Sequence, residues 1–483
     1  MGHPTTTPFP SPRPRHSFPP NPYPDPAMPS FADPATAAIP LTLVDPDAIP
    51  ALLDSLGPLA TYARAMAFTA KPGETLALPD TTGAIAHALV GTGTPAARAR
   101  TRFATAAAAS RLPPGTYRLT PTAPEDAHDL ALGWLLESYR FTRYRAAEPP
   151  RAHLVCPDNV DPRLIETLAR AEALTRDLIN TPASDMGPAE LEAAALALAA
   201  RHGATATVTR GDDLLTHNFP LIHAVGRAAA PGREPRLIDI RHGTTGPAIT
   251  LIGKGVCFDT GGLDIKPAAS MGLMKKDMGG AASVLGLAEM LLSAAIPLKL
   301  RILIPAVENS VSGDSFRPQD ILTARNGLTV EINNTDAEGR LILADCLALA
   351  AEEQPDLTVT MATLTGAARV ALGPDLPPFF TDDDRIAAQL MESAHRMRDP
   401  LWRLPFHTPY ESQIEPGIAD LDNAPSGGMA GAITAALFLR RFAPTPYVHF
   451  DIYGWQPVAA PARPKGGTGQ AARALFDAIP RLF

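Results

Sequence analysis

The most informative stretch of the sequence is residues 334–341, which read Asn-Thr-Asp-Ala-Glu-Gly-Arg-Leu. Its two carboxylates, Asp336 and Glu338, are two positions apart and immediately precede an apolar helical pattern. Side chains at positions i and i+2 of an extended chain point to the same side. We therefore expect both carboxylates to face one common centre.

A second group of charged residues lies upstream, in two glycine-containing stretches. It consists of Lys254, Asp259, Lys266 and Asp277. Taken singly, an Asp or Glu near a turn is usually a solvated surface group or a helix cap. Taken together, hard oxygen ligands from two distant segments, with lysines between them, are typical of a two-metal site that carries out hydrolysis.

Four such carboxylates could not share one site without cations. Two unit charges about 4 Å apart interact with roughly 4 kcal/mol at an effective dielectric constant near 20. Several such repulsions would force some of the carboxyl groups to bind protons, whereas two divalent cations cancel four negative charges. The sequence therefore predicts a cluster that stays ionised only with bound metal.

Both groups lie where an α/β sheet would hold a ligand. Apolar, strand-like runs at 248–252 and 328–332 precede them, and helical patterns at 281–292 and 341–351 follow. In open α/β sheets, ligands bind just beyond the carboxyl ends of the strands. We therefore expect the two groups to meet at that edge of a sheet.

Composition limits the domain number, the compartment and the partners. A chain of 483 residues is too long for one core, so two domains are expected. The net charge of -8 gives no basis for binding nucleic acid through bulk charge. No apolar run approaches the roughly 18 residues that span a bilayer. The 3 cysteines stand at unrelated spacings and indicate neither a disulfide framework nor a cysteine-type zinc site, so we expect a cytoplasmic protein without a membrane partner.

The order of patterns predicts an α/β fold with a small N-terminal α/β domain and a C-terminal catalytic domain, whose central, largely parallel sheet is flanked by helices. We expect a disordered, proline-rich tail at 1–40, the N-terminal domain at 41–160, a connecting helix and linker at 161–187, and the dinuclear-metal domain at 188–483. In the N-terminal domain the patterns predict helices at 48–56, 84–89 and 127–144 and a strand at 117–120.

The C-terminal domain alternates helical and strand-like patterns after a connecting helix predicted at 164–179. Strands are predicted at 235–241, 248–253, 298–305, 357–362 and 447–452. Helices are predicted at 191–202, 281–292, 341–351, 386–397, 430–442 and 470–478.

From about residue 174 to its C-terminus, the chain resembles the leucine (cytosol) aminopeptidases, a family of dinuclear metallopeptidases. The Asn-Thr-Asp-Ala-Glu-Gly-Arg string carries most of this resemblance, supported by residues 176–182, 307–310 and 362–367. The resemblance implies removal of the N-terminal residue from short peptides through a hydroxide that bridges two divalent ions, zinc or manganese. The metal ligands that it implies are Lys254, Asp259, Asp277, Asp336 and Glu338.

The resemblance also implies roles for two cations that are not ligands. Lys266 would polarise the scissile carbonyl, and Arg340 would bind a bicarbonate that acts as the general base. The backbone at Gly339 and Leu364 would help to hold that bicarbonate. A positively charged pair of this kind suits a negatively charged tetrahedral intermediate, and a helix N-terminus suits an anion.

By the same resemblance, Met274, Thr363 and Gly366 line the pocket for the substrate's N-terminal side chain. Tyr453 stands where the family usually has a small residue, so a preference for leucine does not follow. Peptides with a free N-terminus are the expected partners, and a homohexamer is the implied assembly. Asp264 and Asp345 are interpreted as a turn residue and a helix residue.

Two other classes of function compete with hydrolysis. A DNA-binding accessory role needs a basic surface stripe, which the acidic balance does not favour. A catalytically silent scaffold would not need Lys266, Arg340 and all five ligand positions to hold the expected residue types, as they do here.

Overall fold

The computed structural model describes residues 29–148 and 150–483. The N-terminal part is built on one five-stranded sheet, whose strands are β1 (Ile39–Val44), β2 (Thr75–Pro79), β3 (Ile85–Gly91), β4 (Gly115–Leu119) and β5 (Ala152–Val155). Their order is β2-β3-β1-β4-β5. Strand β2 runs antiparallel to β3, and the other pairs are parallel.

The helices of this part are α1 (Ile49–Ser55), α2 (Leu59–Ala65), α3 (Pro95–Arg98), α4 (Ala108–Arg111) and α5 (Pro124–Glu137). The helix predicted at 84–89 is wrong, because residues 85–89 lie in strand β3. Ala88, Leu89 and Val90 are fully buried there, and a short apolar run has no periodicity that separates a buried strand from a buried helix. The helix predicted at 127–144 ends earlier, at Glu137.

The proline-rich tail predicted at 1–40 lies outside the described residues up to residue 28. The remainder of that range is tied to the N-terminal sheet. The Ala32 N–H donates to the Leu154 carbonyl over 2.8 Å, and Ile39 opens strand β1. The described end of the predicted tail is therefore part of the fold.

Helix α6 (Pro162–Asn180) connects the two parts and packs against both. Asp161 caps its start by accepting from the N–H groups of Arg163 and Leu164, an arrangement that satisfies otherwise free helix donors. The helix contacts α5 on one side and the long helix at Gly279–Ser293 on the other. At the second contact a Cβ added to Gly286 would lie 2.2 Å from the Thr175 Oγ1, so only glycine allows this close approach.

The C-terminal part carries a nine-stranded sheet in which parallel pairs form the centre. Its strands are β6 (Thr205–Arg210), β7 (Arg236–His242), β8 (Ala248–Gly253), β9 (Gly255–Asp259), β10 (Lys299–Asn309), β13 (Leu357–Ala362), β14 (Pro378–Phe380), β15 (Trp402–Arg403) and β17 (Tyr447–Asp451). Strands β8, β9, β10, β13 and β17 pair in parallel, whereas β6, β7 and β14 join through antiparallel pairs. The predicted α/β class with a largely parallel central sheet is confirmed.

Two small sheets accompany the central one. The first contains β11 (Ile321–Thr323), β12 (Thr329–Glu331) and β16 (Leu421–Asp422), and the second contains β18 (Trp455–Gln456) and β19 (Gly466–Gly467). The strand-like run at 328–332 therefore belongs to a side sheet and not to the central one. Its three paired residues bond only to these short neighbours.

Helices cover the central sheet and its edges: α7 (Pro188–Arg201), α8 (Asp213–Thr216), α9 (Pro220–Gly226), α10 (Ala268–Met271), α11 (Gly279–Ser293), α12 (Glu338–Ala351), α13 (Gly366–Leu372), α14 (Asp384–Arg396), α15 (Gly431–Arg440) and α16 (Ala472–Leu482). Helices α11 and α12 are apolar on nearly every face and almost wholly buried. Within the described residues, no helix has the length and apolar character needed to cross a membrane.

A buried ion cluster joins α6 to the C-terminal helix α16. The Glu172 carboxylate lies 2.9 Å from the Nε of Arg176 and 3.1 Å from the Nη1 of Arg473, and it accepts from the Gly469 N–H over 3.0 Å. Burial opposes ionisation of Glu172, but the two guanidinium groups outweigh it and hold its pKa below the ordinary value. The cluster therefore fixes two distant parts of the chain as an ionised unit.

Replacing Glu172 with alanine should destabilise the protein by about 3–5 kcal/mol, because it leaves the buried guanidinium of Arg176 without its anion. Arg473 would keep its longer contact with Asp399. The free energy of unfolding, measured by denaturant titration, tests this. The matched control is Glu392→Ala, which removes the exposed partner of Arg396 and should cost less than about 1 kcal/mol. Equal losses in the two variants would contradict the role of the Glu172 cluster.

Candidate metal centre

The carboxylates singled out in the sequence converge beyond the central sheet. Asp259 is the last residue of β9, and Glu338 is the first residue of α12. One oxygen from each of Asp259, Asp336 and Glu338 lies within 4.8 Å of the others. Asp277, which follows a 3-10 turn at Met274–Lys276, is buried beside them.

Two lysines connect these carboxylates into one cluster. The Lys254 Nζ, in the turn between β8 and β9, lies 2.8 Å from the Asp277 Oδ2 and 2.9 Å from the Glu338 Oε1. The Lys266 Nζ lies 2.9 Å from the Asp259 Oδ2 and also contacts the Asp336 carboxylate. All six residues from the two predicted groups are therefore brought together.

The predicted reason for the meeting of Asp336 and Glu338 is wrong. The chain between them is not extended, because Ala337 has φ −108° and ψ 41° and helix α12 begins at Glu338. Asp336 therefore lies in the preceding loop, while Glu338 projects from the first helical turn. The two side chains reach one centre because the backbone turns between them.

The two loops that carry the ligands are braced by residues that the sequence did not single out as functional. The Thr335 N–H donates to the Asp264 Oδ2 over 2.7 Å, and the Thr335 hydroxyl donates to the Gly261 carbonyl over 2.6 Å. The Asn309 amide donates to the Asp259 Oδ1 over 2.9 Å and to the Thr335 carbonyl over 3.1 Å. Asp264 is thus more than a turn residue, since it ties the upstream loop to the downstream one.

Asn423 braces the same downstream loop from its other side. Its Oδ1 accepts from the N–H groups of Asn333 and Asn334 over 2.8 and 3.2 Å, and its carbonyl accepts from the Arg340 Nη1. Arg340 is buried, and its Nε has no hydrogen-bond partner among the described residues. Burial lowers the pKa of Arg340 to about 10, so the guanidinium stays charged at neutral pH.

A third loop, after β13, is ordered by Asp451 at the end of β17. The Asp451 Oδ1 accepts from the N–H groups of Leu364 and Thr365 over 3.1 Å each. Thr363 donates through its hydroxyl to the Asp277 Oδ1 over 2.8 Å. The position of Asp451 at the end of a buried strand was a usable signal in the sequence, because the ends of parallel strands share one edge.

The electrostatics of the cluster fit bound cations. Burial raises the pKa of Glu338 to about 8 and that of Asp336 to about 6, and the nearby Asp259 carboxylate adds to both shifts. Burial would lower the pKa of Lys254, but the Asp277 and Glu338 carboxylates outweigh it and raise that pKa above its ordinary value. Glu338 and Asp336 are thus driven toward protonation, whereas the buried Lys254 amine is driven toward remaining charged.

Three carboxylate oxygens of the cluster lack a hydrogen-bond donor among the described residues: the Asp277 Oδ2, the Asp336 Oδ1 and the Glu338 Oε1. Each lies within ion-pair distance of a lysine Nζ, but without the alignment of a hydrogen bond. Buried oxygens with free lone pairs are suited to coordinate hard cations. The donor set therefore fits the predicted divalent metal ions.

The residues predicted to line a side-chain pocket border this cluster. Met274 opens the 3-10 turn before Asp277, and Thr363 contacts Asp277 directly. Gly366 begins helix α13, and a Cβ added there would meet no atom within 4 Å, so the space before it is open.

Asp345, also noted in the sequence, has a separate structural role. Its Oδ2 accepts from the N–H groups of Leu221 and Ile222 over 2.8 and 3.1 Å at the start of α9, and its Oδ1 accepts from the Arg325 N–H over 2.9 Å. Carboxylates at a helix start satisfy otherwise free donors. Asp345 therefore anchors α12 to α9 and takes no part in the cluster.

Comparison with known proteins places this geometry in one family. The catalytic-domain model of the cytosol aminopeptidase family matches residues 173–476, and a model described as the N-terminal domain of M17 aminopeptidases matches residues 39–157. A probable cytosol aminopeptidase of Syntrophotalea carbinolica is 39% identical over 370 residues, which cover 72% of this chain and 74% of the relative.

Solved structures show the same similarity. The cytosol aminopeptidase of Coxiella burnetii superposes with a TM-score of 0.88 at 42% identity, covering 93% of this chain and 98% of that one. The bottromycin maturation enzyme BotP, solved in complex with Mn, superposes with a TM-score of 0.83 at 31% identity, covering 92% of this chain and 100% of that one.

Replacing Thr335 with valine should weaken metal binding by about tenfold to a hundredfold, the usual cost of losing a residue that orients metal ligands. The change removes the hydroxyl that joins Thr335 to Gly261 and Asp264 without altering the side-chain shape. Titration with Mn²⁺ followed by calorimetry measures the affinity. Thr216→Val, an exposed change far along the chain, is the control, and equal affinities in both variants would contradict the bracing role.

Proposed function

The chain belongs to the cytosol aminopeptidase family of metal-dependent peptide hydrolases, and we propose that its carboxylate–lysine cluster is the site that removes the N-terminal residue from short peptides. The observation that carries the proposal is the convergence of Asp259, Asp336 and Glu338 within 4.8 Å, with buried oxygens that lack hydrogen-bond donors. A free peptide N-terminus is the substrate group that such a centre would select.

Two divalent ions would be held by five residues: Lys254, Asp259, Asp277, Asp336 and Glu338. When bound, the ions would acidify a water molecule and polarise the scissile carbonyl. Zinc and manganese are the proposed metals, and the relative BotP was solved in complex with Mn.

Lys254 must lose its proton to serve as a ligand. Its ammonium is held by Asp277 and Glu338, which raise its pKa in the absence of metal. A dication beside those carboxylates reverses this effect, because it cancels their charge and repels the ammonium. Lys254 is therefore expected to release its proton as metal binds.

Lys266 is proposed to stabilise the oxyanion that forms on the carbonyl oxygen. Burial would lower its pKa, but Asp259 and Glu338 outweigh this and raise it, so the side chain is a cation. With the charge of Asp259 and Asp336 balanced by bound metal, the Lys266 N–H donors would be available to the substrate. A donor aimed at developing negative charge typically contributes about 10²–10³ in kcat.

Arg340 is proposed to bind a bicarbonate, together with the backbone at Gly339 and Leu364. The Arg340 Nε is buried without a partner among the described residues, and the first turn of α12 presents free N–H groups to an anion. Bound there, bicarbonate would serve as the general base. The assignment is supported by the absence of a histidine among the six charged residues of the cluster.

The remaining proposals concern assembly, location and the pocket. We propose a homohexamer and a cytoplasmic location, on the resemblance and on the names of the relatives. Met274, Thr363 and Gly366 are proposed to line the pocket for the substrate's N-terminal side chain. Light scattering coupled to size-exclusion chromatography tests the hexamer directly.

Two substitutions separate metal binding from catalysis. Glu338→Gln should lose both bound metal and peptide hydrolysis, because a neutral amide cannot balance the cations. Lys266→Met should retain both metal ions and lower kcat by about 10²–10³, since only the oxyanion donor is lost. Elemental analysis and the hydrolysis of Leu-p-nitroanilide and a dipeptide panel by the Mn²⁺- or Zn²⁺-loaded protein provide the measurements.

Glu352→Gln is the matched control, since Glu352 follows the same helix and pairs with Arg325 at the surface. It should retain both metal and activity. A Lys266→Met variant with the turnover of the wild type would show that Lys266 does not stabilise the oxyanion. If the Glu338→Gln variant still bound two ions, the cluster would not be the metal-binding site.

A further inference from the structure

Two cationic side chains lie against Tyr453 at the edge of the candidate metal centre. The Lys276 Nζ is 4.6 Å from the centroid of the Tyr453 ring, and the Arg369 Cζ is 5.0 Å from it. Neither side chain forms an ion pair or a hydrogen bond with another residue in the described part of the chain. A cation–π contact leaves the N–H donors of both groups available.

Lys276 is the more constrained of the two cations, with only 6% of the residue exposed. A buried ammonium without an anion is costly, and such groups are normally paired. Its neighbour Lys275 differs in this respect, because the Lys275 Nζ donates to the Asn180 carbonyl over 2.6 Å. Lys276 is thus a buried charge that, within the described residues, lacks the partner its position calls for.

Both cations belong to elements that border the proposed side-chain pocket. Lys276 ends the 3-10 turn that Met274 opens. Arg369 follows Gly366 by three residues on α13, and side chains three apart on a helix share one face. The open space at Gly366 therefore has Arg369 on the same side.

Tyr453 is fixed beside the same pocket by its backbone. The N–H groups of Tyr453 and Gly454 donate to the Gln470 Oε1 over 2.8 and 2.9 Å. A Cβ added to Gly454 would lie 3.4 Å from the Thr363 Cγ2, which shows how closely this turn approaches Thr363. The tyrosine ring and its two cations therefore stand next to the pocket residue that contacts Asp277.

A small recess, open to solvent, lies between α13 and the Tyr453 turn, with Thr365, Arg369, Asp451 and Tyr453 in its wall. The carboxylate in that wall, Asp451, already accepts hydrogen bonds from the backbone of Leu364 and Thr365 and from the Thr365 hydroxyl. Arg369 therefore supplies charged donors that remain available to a ligand in this space, while Lys276 approaches it from the other contact with the Tyr453 ring.

We propose that Lys276, Arg369 and Tyr453 make the pocket selective for an acidic N-terminal residue, aspartate or glutamate. The inference rests on the proposed function, because the pocket receives a side chain only if the cluster cleaves peptides at their N-terminus. A carboxylate would pair with the buried ammonium through charge-assisted hydrogen bonds. A leucine side chain would enclose that ammonium without a partner, which is unfavourable.

The test compares tripeptides that differ only in the charge of the first side chain. The full-length, Mn²⁺-loaded protein is assayed with Glu-Ala-Ala, Gln-Ala-Ala and Leu-Ala-Ala by measuring the released amino acid. We expect kcat/KM for Glu-Ala-Ala to exceed that for Gln-Ala-Ala by about tenfold or more, since charged hydrogen bonds are roughly twice as strong as neutral ones.

Substitutions then assign the preference to residues. Lys276→Met and the more exposed Arg369→Met should each reduce the Glu:Gln ratio toward 1, and Lys276→Arg should keep it well above 1. Lys275→Met is the matched control in the same turn and should leave the ratio unchanged. A loss of structure lowers both rates together and does not move the ratio.

Three results would overturn the inference. A wild-type ratio near 1, with the neutral peptides hydrolysed, would refute acidic selectivity and leave the proposed function intact. A high ratio that persists in both methionine variants would refute the assignment to Lys276 and Arg369. No hydrolysis of any of the three peptides would refute the proposed function, and this inference with it.

Discussion

The site depends on one electrostatic constraint, the burial of several carboxylates within a few ångströms of one another. Asp259, Asp336 and Glu338 place oxygens within 4.8 Å of one another, with Asp259 and Glu338 buried and Asp336 half-buried. Carboxyl groups so placed are driven to bind protons, and the pKa of Glu338 is raised to about 8 even with Lys254 and Lys266 beside it. In the polypeptide alone, Lys254 and Lys266 supply that charge by each contacting two carboxylates. Divalent ions would meet the same need with twice the charge per atom, and would release the lysines for other roles.

Two features of the fold bring the carboxylates together: strands that end at one edge of the sheet, and hydrogen bonds that fix the loops after them. Parallel strands of the central sheet end at one edge, so β8, β9, β13 and β17 deliver residues there from distant parts of the sequence. The loops that follow are then fixed by the neutral side chains of Thr335, Asn309 and Asn423 and by the carboxylates of Asp264 and Asp451. These carboxylates accept hydrogen bonds from backbone N–H groups, so they act as braces. Catalytic geometry is thus supported by residues that need not touch a substrate.

The cations of the pocket region make a different kind of contact from those of the metal centre. At the cluster, Lys254 and Lys266 contact carboxylates, whereas Lys276 and Arg369 rest on an aromatic ring and keep their donors free. Tyr453 makes this arrangement possible, since a small residue at that position would offer neither cation a surface. The chemistry of peptide cleavage and the choice of substrate would therefore be set by separate residues. This separation is consistent with families that keep one reaction while changing specificity in the surrounding loops.

The sequence by itself determined the α/β class, most helices and strands of the C-terminal part, and the residue types of the cluster, because strong apolar periodicity and a specific motif are local properties. Only the tertiary structure decided the rest. It assigned residues 85–91 to a strand, since burial on both faces leaves no periodicity, and it placed 329–331 in a side sheet rather than the central one. It also showed that Asp336 and Glu338 meet across a helix start, and that Asp264, Asn309 and Asn423 brace the loops. Those contacts join residues about 25 to 90 positions apart. Pairings over such separations are set by how strands and loops pack, which no short window of sequence contains.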